Sequence, residues 1–401
     1  MKYIEEFRNA DYAKTLAKAI AQQAHPGKHY RLMEFCGGHT HTIHRYGLPS
    51  LLPGNVEMIH GPGCPVCVLP IARIDKAIAL ATMPDVILCS YGDMLRVPGS
   101  GQQSLLQAKA RGADVRMVYS VDDALTIAEQ NPNKEVVFFA IGFETTTPPT
   151  AYVIKQAEKL HLTNFSVFCN HVLTPVAMDS LLQMQNVTTH PSSRACEGSP
   201  KRSGDPSQAR DDVREAGSVN LDGFVGPAHV SIVIGSQAYE TVSQKYNKPI
   251  VIAGFEPLDV LHSILMLIEQ INDNRCCVEI QYTRAVTREG NLRSQMLMAE
   301  VLELRSSFEW RGLGFIPHSA LQIKSAFANF DAEKRFNLPE TAGVEHKQCD
   351  CGAILRGQKK PSDCKLFAKV CTPENPLGSC MVSSEGACAA VYAYGRAGAH
   401  A

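Results

Sequence analysis

The sequence predicts an α/β protein with two similar parallel-sheet, Rossmann-like domains, followed by a cysteine-rich, partly helical domain. Short apolar runs alternate with amphipathic helical stretches, which is the pattern of a parallel α/β sheet. From about residue 340 the chain loses this periodicity and becomes rich in Cys, Gly and Pro. The apolar runs predict strands in two groups, at 31–35, 56–60, 85–90 and 115–120, then at 136–142, 165–169, 221–226 and 249–254.

The two strand groups set the predicted domain boundaries. An amphipathic helical segment at 1–28 is expected to pack with the C-terminal domain. We predict the first α/β domain at 29–134, the second at 135–258, and helices followed by the cysteine-rich region at 259–401. Residues 190–218 interrupt the second domain. They are polar, charged and nearly free of large apolar side chains, so we expect a disordered-like surface insertion there.

Composition limits the function classes. The net charge is -1, so no overall basic field indicates nucleic acid or anionic lipid as a partner. The N-terminus lacks the features of a signal peptide, and the longest apolar runs are too short to cross a bilayer. We therefore expect a cytoplasmic protein with neither a nucleic-acid nor a membrane partner.

Fourteen cysteines are unusual for such a protein, because a reducing cytosol does not favour structural disulfides. Six of them lie between Cys349 and Cys388. Zinc sites usually pair their ligands in tight Cys-x2–4-Cys knuckles, which this segment lacks. Wide spacing with Gly and Pro between the cysteines favours a four-cysteine [4Fe–4S] site, with zinc and redox disulfides as alternatives. Spacing alone does not decide which four cysteines bind.

Two further motifs contain cysteine or histidine. "CGGHTH" follows the first predicted strand and contains Cys36 and His39, and "GPGCPVC" follows the second and contains Cys64 and Cys67. Together these residues have the Cys3His composition of a structural zinc site, which is a rival interpretation. However, both motifs follow parallel strands, where open α/β sheets bind their ligands. This position favours a catalytic or ligand-binding role.

The pair Cys64 and Cys67 precedes a predicted amphipathic helix. A thiol at a helix N-terminus has a lowered pKa, because the free N–H groups and the helix dipole favour the thiolate. The sequence therefore predicts a redox-capable dithiol, which could equally supply thiolates to iron.

Glu144 lies among threonines in "GFETTTP", at the end of the fifth predicted strand. It is predicted to act as a base or as a group that orients a ligand. A helix N-terminal cap is the structural alternative.

These motifs, together with "GPAHVS" and the terminal "GSCMVSSEGAC", resemble in order and combination the HypD family of [NiFe]-hydrogenase maturation proteins. The resemblance spans nearly the whole chain, and the insertion at 190–218 is the main departure from it. The resemblance implies a monomeric, redox-active assembly scaffold without turnover of its own. It would act with a HypC-type chaperone and accept cyanide from a HypE-type partner while the Fe(CN)2CO unit is assembled on iron.

The resemblance also assigns roles to individual residues. Cys36 and His39 would lie at the iron-assembly site, with Cys64 and Cys67 as the exchanging dithiol and as further possible iron ligands. Cys349 and Cys380 would be a redox pair. The [4Fe–4S] cluster would be held by Cys351, Cys364, Cys371 and Cys388. Two alternatives of other classes are a thiol–disulfide oxidoreductase fed by an iron–sulfur cluster and a zinc-stabilised binding module.

Overall fold

The computed structural model describes residues 5–189 and 220–395, apart from the side chains of 185–189. It confirms the predicted fold class, with two parallel sheets and a cysteine-rich C-terminal region. The predicted insertion at 190–218 lies outside the described residues. Within the described residues, no helix is long and apolar enough to span a bilayer.

The strands and helices are numbered along the chain. The strands are β1 Tyr30–Glu34, β2 Val56–His60, β3 Val86–Ser90, β4 Asp114–Met117, β5 Glu135–Gly142, β6 Phe165–His171, β7 Gly223–Pro227, β8 Ile250–Ala253, β9 Val278–Ile280, β10 Leu302–Leu304, β11 Ser307–Trp310, β12 Gly314–Pro317 and β13 Leu321–Ile323. The α-helices are α1 Ala10–Gln23, α2 Gly37–Arg45, α3 Pro65–Val68, α4 Ile71–Ala81, α5 Leu105–Ala110, α6 Val121–Gln130, α7 Thr147–Lys159, α8 Thr174–Thr189, α9 Ala228–Ile234, α10 Glu240–Tyr246, α11 Pro257–Asn272, α12 Leu292–Val301, α13 Ala332–Arg335, α14 Cys351–Leu355 and α15 Ala387–Tyr394. Short 3-10 helices lie at Glu5–Phe7, Leu48–Leu51, Gly92–Arg96, Ser100–Gln102, Gln237–Tyr239, Ser325–Phe330, Pro361–Asp363 and Ser379–Met381.

The two sheets do not divide the strands in chain order. The first sheet has the order β2-β1-β7-β8-β9 and the second has the order β4-β3-β5-β6, with every neighbouring pair parallel. The chain thus leaves the first sheet after β2, builds the second, and returns at β7. The expected grouping into 29–134 and 135–258 differs from this, because apolar runs predict strands but do not specify their partners.

In both sheets, predicted motifs lie at the carboxyl ends of the strands, next to the point where the strand order reverses. In an open parallel sheet the strand order reverses at one point, and ligands bind beyond the carboxyl ends of the strands there. In the first sheet this point lies between β1 and β7, which carry "CGGHTH" and "GPAHVS". In the second it lies between β3 and β5, and "GFETTTP" starts within the end of β5.

The termini pack around the first sheet. Leu16 and Ile20 on α1 share a buried core with Leu261 and Ile264 on α11, a helix that the sequence assigns mainly to the C-terminal region. Helix α15 packs on α2. Helix α12 ends at Val301, where the chain continues into β10, which pairs antiparallel with β13.

Candidate functional site

The loops that follow β1 and β2 are joined through their backbones. The N–H of Gly37 donates to the carbonyl of Gly63 (3.0 Å), and the N–H of Gly61 donates to the carbonyl of Glu34 (3.0 Å). A Cβ atom at Gly63 would lie 2.3 Å from the backbone nitrogen of Cys36, so this approach requires glycine. The structure therefore brings together the two motifs that the sequence singles out.

Cys36 begins α2 as its N-cap residue. Burial raises the pKa of this thiol, and the charges of Glu385 and Glu34 add to the rise. The backbone N–H groups of Gly38 and His39 act in the opposite direction but do not cancel it. Without a cation beside it, Cys36 is therefore a neutral thiol at pH 7.

His39 is fully buried and leaves one ring nitrogen unused. Its Nε2 lies 3.0 Å from the carbonyl oxygen of Ala253 and 3.1 Å from that of Gly254. Two acceptors fix the proton on Nε2, so Nδ1 carries a lone pair that has no hydrogen-bond partner in the part of the chain that the structure describes. Burial lowers the pKa of His39 and keeps the ring neutral. This unpaired, buried nitrogen is the electron-pair donor that a metal or a ligand needs.

Glu34 is a site residue that the sequence analysis missed. It is fully buried and accepts hydrogen bonds from the N–H of Cys36 (3.0 Å), the hydroxyl of Thr40 and Nδ1 of His60 (3.0 Å). The Nε2 atoms of His60 and His44 lie 2.9 Å apart, and burial together with His60 lowers the pKa of His44 to about 4. The available signal was an acidic residue within the apolar run "RLMEF", at the last position of β1.

The predicted dithiol is closed and buried. Cys64 and Cys67 form a disulfide with their Cα atoms 5.2 Å apart, and their exposed fractions are 3% and 0%. Cys64 caps the single turn of α3, whereas the longer helix α4 begins only after Pro70. The pair thus precedes the amphipathic helix α4, as expected, but Pro70 separates the two helices and Cys64 caps only the short one.

The six C-terminal cysteines line one small pocket, here called the cysteine pocket: Cys349, Cys351, Cys364, Cys371, Cys380 and Cys388. Its other walls include Ile354, Leu366, Phe367 and Met381. The thiols of Cys349 and Cys380 lower the pKa of Cys351 most strongly, and Arg311 and the N–H of Cys380 lower it further. Several thiols in an apolar enclosure, with one favoured as thiolate, fit the donor set of an iron–sulfur cluster.

Metal binding by these residues stays a prediction. Among the residues that the structure describes, no three His, Cys, Asp or Glu side chains are grouped closely enough to hold a metal ion. This applies both to the set Cys36, His39, Cys64 and Cys67 and to the cysteine pocket.

Glu144 lies at the end of the second sheet and has a structural use there. Its two carboxylate oxygens accept from the N–H and the hydroxyl of Thr174, both at 2.9 Å, at the start of α8. Burial raises its pKa to about 7. These contacts favour the helix-cap alternative, and a role as a base stays a prediction.

Tyr239 lies between the ends of the two sheets. It is fully buried. Burial raises the pKa of its hydroxyl, and the carboxylate of Glu144 raises it further, whereas a hydrogen bond with Ser231 acts in the opposite direction. Nothing in the local sequence "GSQAYE" indicated this position.

Comparison with known proteins gives a consistent result. The model of the HypD family, described as "Hydrogenase formation hypA family", matches residues 11–192 and 207–395. The unmatched stretch falls within the predicted insertion. The hydrogenase expression/formation protein HupD of Azotobacter chroococcum mcd 1 is 61% identical over 396 residues, covering 99% of this chain and 97% of the relative.

Two further relatives are called hydrogenase maturation factor HypD. The protein of Cupriavidus necator is 59% identical over 396 residues, covering 99% of this chain and 98% of its own. That of Escherichia coli K12 is 42% identical over 399 residues, covering 98% of each chain. The chain thus belongs to the HypD family.

Proposed function

We propose that this protein is a hydrogenase maturation factor that works as a redox-active assembly scaffold. With a HypC-type chaperone it would hold the iron on which the Fe(CN)2CO unit of a [NiFe]-hydrogenase is built. A HypE-type partner would deliver cyanide as a thiocyanate. The family and the names of the relatives support the role in maturation.

One observation carries the finer proposal: the buried dithiol lies between the Cys36 loop and the cysteine pocket. The "GPGCPVC" loop bonds to the Cys36 loop through Gly63. On its other side, the carbonyl of Cys67 accepts from the hydroxyl of Ser379 (3.0 Å), which precedes Cys380 of the cysteine pocket. A reductant placed between an assembly site and an electron store suits chemistry that consumes electrons at the iron.

In this proposal, separate groups of residues bind the iron and the cluster. Cys36 and the free Nδ1 of His39 would hold the iron as cargo. Cys351, Cys364, Cys371 and Cys388 would hold a [4Fe–4S] cluster, which supplies one-electron transfer when it is bound. Cys349 and Cys380 remain in the same pocket as a redox pair.

Cyanide release balances with the dithiol as reductant. Cleaving the S–C bond of a thiocyanate R–S–C≡N takes two electrons and gives cyanide and a thiol. Oxidation of Cys64 and Cys67 to the disulfide supplies two electrons and two protons. One proton converts the leaving sulfur to the thiol, the other is released, and cyanide passes to the iron. The disulfide in the structure corresponds to the state after this step.

Burial argues against the oxidoreductase alternative. A free-standing thiol–disulfide oxidoreductase needs a sulfur that a partner's thiol can reach, and neither Cys64 nor Cys67 offers one. A small group on a flexible tail could still enter the site. This favours a delivered thiocyanate over a protein disulfide as the substrate.

The proposal is tested by complementation and metal analysis. We expect Cys36→Ala to abolish hydrogenase activity in cells that lack their own HypD, while the exposed Cys277→Ala retains it. Anaerobically purified protein should contain iron and sulfide. A colourless protein with stoichiometric zinc, or normal maturation by Cys36→Ala, would overturn the proposal.

A further inference from the structure

Ser379 is a point of contact between the dithiol and the cysteine pocket. Its side chain is fully buried. Its hydroxyl donates to the carbonyl of Cys67 (3.0 Å), and its oxygen lies 3.8 Å from Sγ of Cys351. A Cβ atom at Gly378 would lie 2.6 Å from Sγ of Cys349, so glycine lets this turn approach the sulfurs. One side chain therefore joins the two redox elements.

Arg311 holds that serine in place. Its Nη1 donates to the Ser379 oxygen (2.8 Å), and its backbone N–H donates to the carbonyl of Val68, the residue after the dithiol (2.7 Å). The side chain comes from the turn between β11 and β12, far away in sequence. Arg311 is thus hydrogen-bonded both to Ser379 and to the residue that follows Cys67.

The charge of Arg311 is only partly compensated. The residue is 4% exposed, and its Nε and Nη2 atoms have no hydrogen-bond partner among the described residues. Within the same part of the chain it is ion-paired to Glu345, with Oε1 3.4 Å from Nε and a half-exposed side chain. A buried, under-paired guanidinium costs free energy unless a negative charge lies nearby. The cysteine pocket would provide that negative charge. Its cysteines would bind as thiolates, and a cluster held by them would gain a further negative charge on reduction.

We propose that Arg311 and Ser379 couple the Cys64–Cys67 pair to the cysteine pocket, with Ser379 as the contact and Arg311 as the positioning residue and source of positive charge. This inference rests on the proposed function and adds to it the residues that control electron supply. When the Cys64–Cys67 disulfide is reduced to the dithiol, two one-electron donors each give up one electron. The Sγ–Sγ bond breaks, and two protons convert the sulfurs to thiols.

The contact is tested by the rate of disulfide reduction in the intact, cluster-containing protein. Reduced methyl viologen serves as the one-electron donor, and the Cys64 and Cys67 thiols are counted by rapid quenching, alkylation and mass spectrometry. We expect Ser379→Ala to slow their appearance about tenfold, which corresponds to about 1.4 kcal/mol in the barrier. The matched control is Ser166→Ala in β6, which also removes a buried hydroxyl, but one that has no hydrogen-bond partner among the described residues.

The charge is tested by the reduction potential of the cluster, followed by electron paramagnetic resonance. We expect Arg311→Gln to make reduction about tenfold less favourable, which is about 59 mV for one electron. Arg311→Lys keeps the charge and should keep most of the potential, while it slows disulfide reduction because the fixed contact to Ser379 is lost. If Arg311→Gln does not fold, the rates of disulfide reduction in Arg311→Lys and Ser379→Ala test the proposed coupling.

The outcomes separate the two proposals. A normal cluster with unchanged disulfide reduction in Ser379→Ala and Arg311→Lys would overturn the coupling and leave the maturation role standing. A wild-type protein that assembles no cluster would overturn the redox part of the proposed function and the coupling with it.

Discussion

The two parallel sheets share the same strand order around their reversal points, yet they use the polar groups there differently. At the end of the first sheet, His39 keeps an unpaired Nδ1 and Cys36 a free thiol. At the end of the second, both oxygens of Glu144 are occupied by Thr174. Hydrogen-bonding capacity left unused in a buried place costs free energy. In the second sheet, Oγ of Ser90 and Nδ1 of His171 are also buried without a partner among the described residues. What distinguishes the end of the first sheet is therefore the combination of an unpaired ring nitrogen with the free thiol of Cys36.

The largest effect is expected from a substitution at Gly63, which tests whether the loops at the end of the first sheet must contact each other. Gly63→Ala forces a Cβ atom against the backbone of Cys36. We expect it to destabilise the protein by about 1–3 kcal/mol and to abolish maturation, measured by chemical denaturation and by hydrogenase activity in complemented cells. Gly54→Ala is the control, since nothing lies within 4 Å of its Cβ position. Normal activity of Gly63→Ala would show that the contact between the two loops is dispensable.

A smaller effect is expected at Glu144. Glu144→Ala removes the cap of α8 and should cost about 0.5–2 kcal/mol of stability. Glu144→Gln keeps one acceptor and should retain both folding and maturation, measured by thermal unfolding and complementation. A folded but inactive Glu144→Gln would instead support the predicted role as a base.

A further prediction is the opposite pH response of the two sheet ends. The pKa of His44 is lowered to about 4, so folding holds it neutral and loses stability as the pH falls from about 6.5 towards 4. The pKa of Glu144 is raised to about 7, so its contribution becomes less favourable as the pH rises from about 4.5 to 7. A tenfold change in proton affinity between the folded and unfolded states corresponds to about 1.4 kcal/mol of stability.

Denaturation at several pH values measures both responses. His44→Gln should flatten the loss of stability on the acid side, and Glu144→Gln should flatten the loss towards neutral pH. The same slope in wild type and in both variants would contradict these assignments.

Much of the fold was predictable because it depends on local pattern. All eight predicted strands exist, and the motifs follow the carboxyl ends of their strands. The assignment of strands to sheets was not predictable, because pairing β1 with β7 depends on contacts between distant segments. Strand β9 was missed because it is short and only partly buried.

The candidate site follows the same division. Cysteine spacing and motif position indicated the dithiol and the cysteine pocket. Glu34 carried a weak local signal, a carboxylate at the end of an apolar strand. Ser379 lies within the quoted motif "GSCMVSSEGAC", but the motif did not single it out, and Arg311 carried no signal. Their contact forms only where the β11–β12 turn meets the C-terminal segment.

The central claim is that iron is assembled at the first sheet's end. The most direct test is the infrared spectrum of the complex with the proposed HypC-type chaperone, purified anaerobically from cells that also contain the proposed HypE-type partner. The account predicts bands of iron-bound cyanide and carbon monoxide that disappear in Cys36→Ala and persist in Cys277→Ala. Bands of full intensity in a folded Cys36→Ala complex would contradict it.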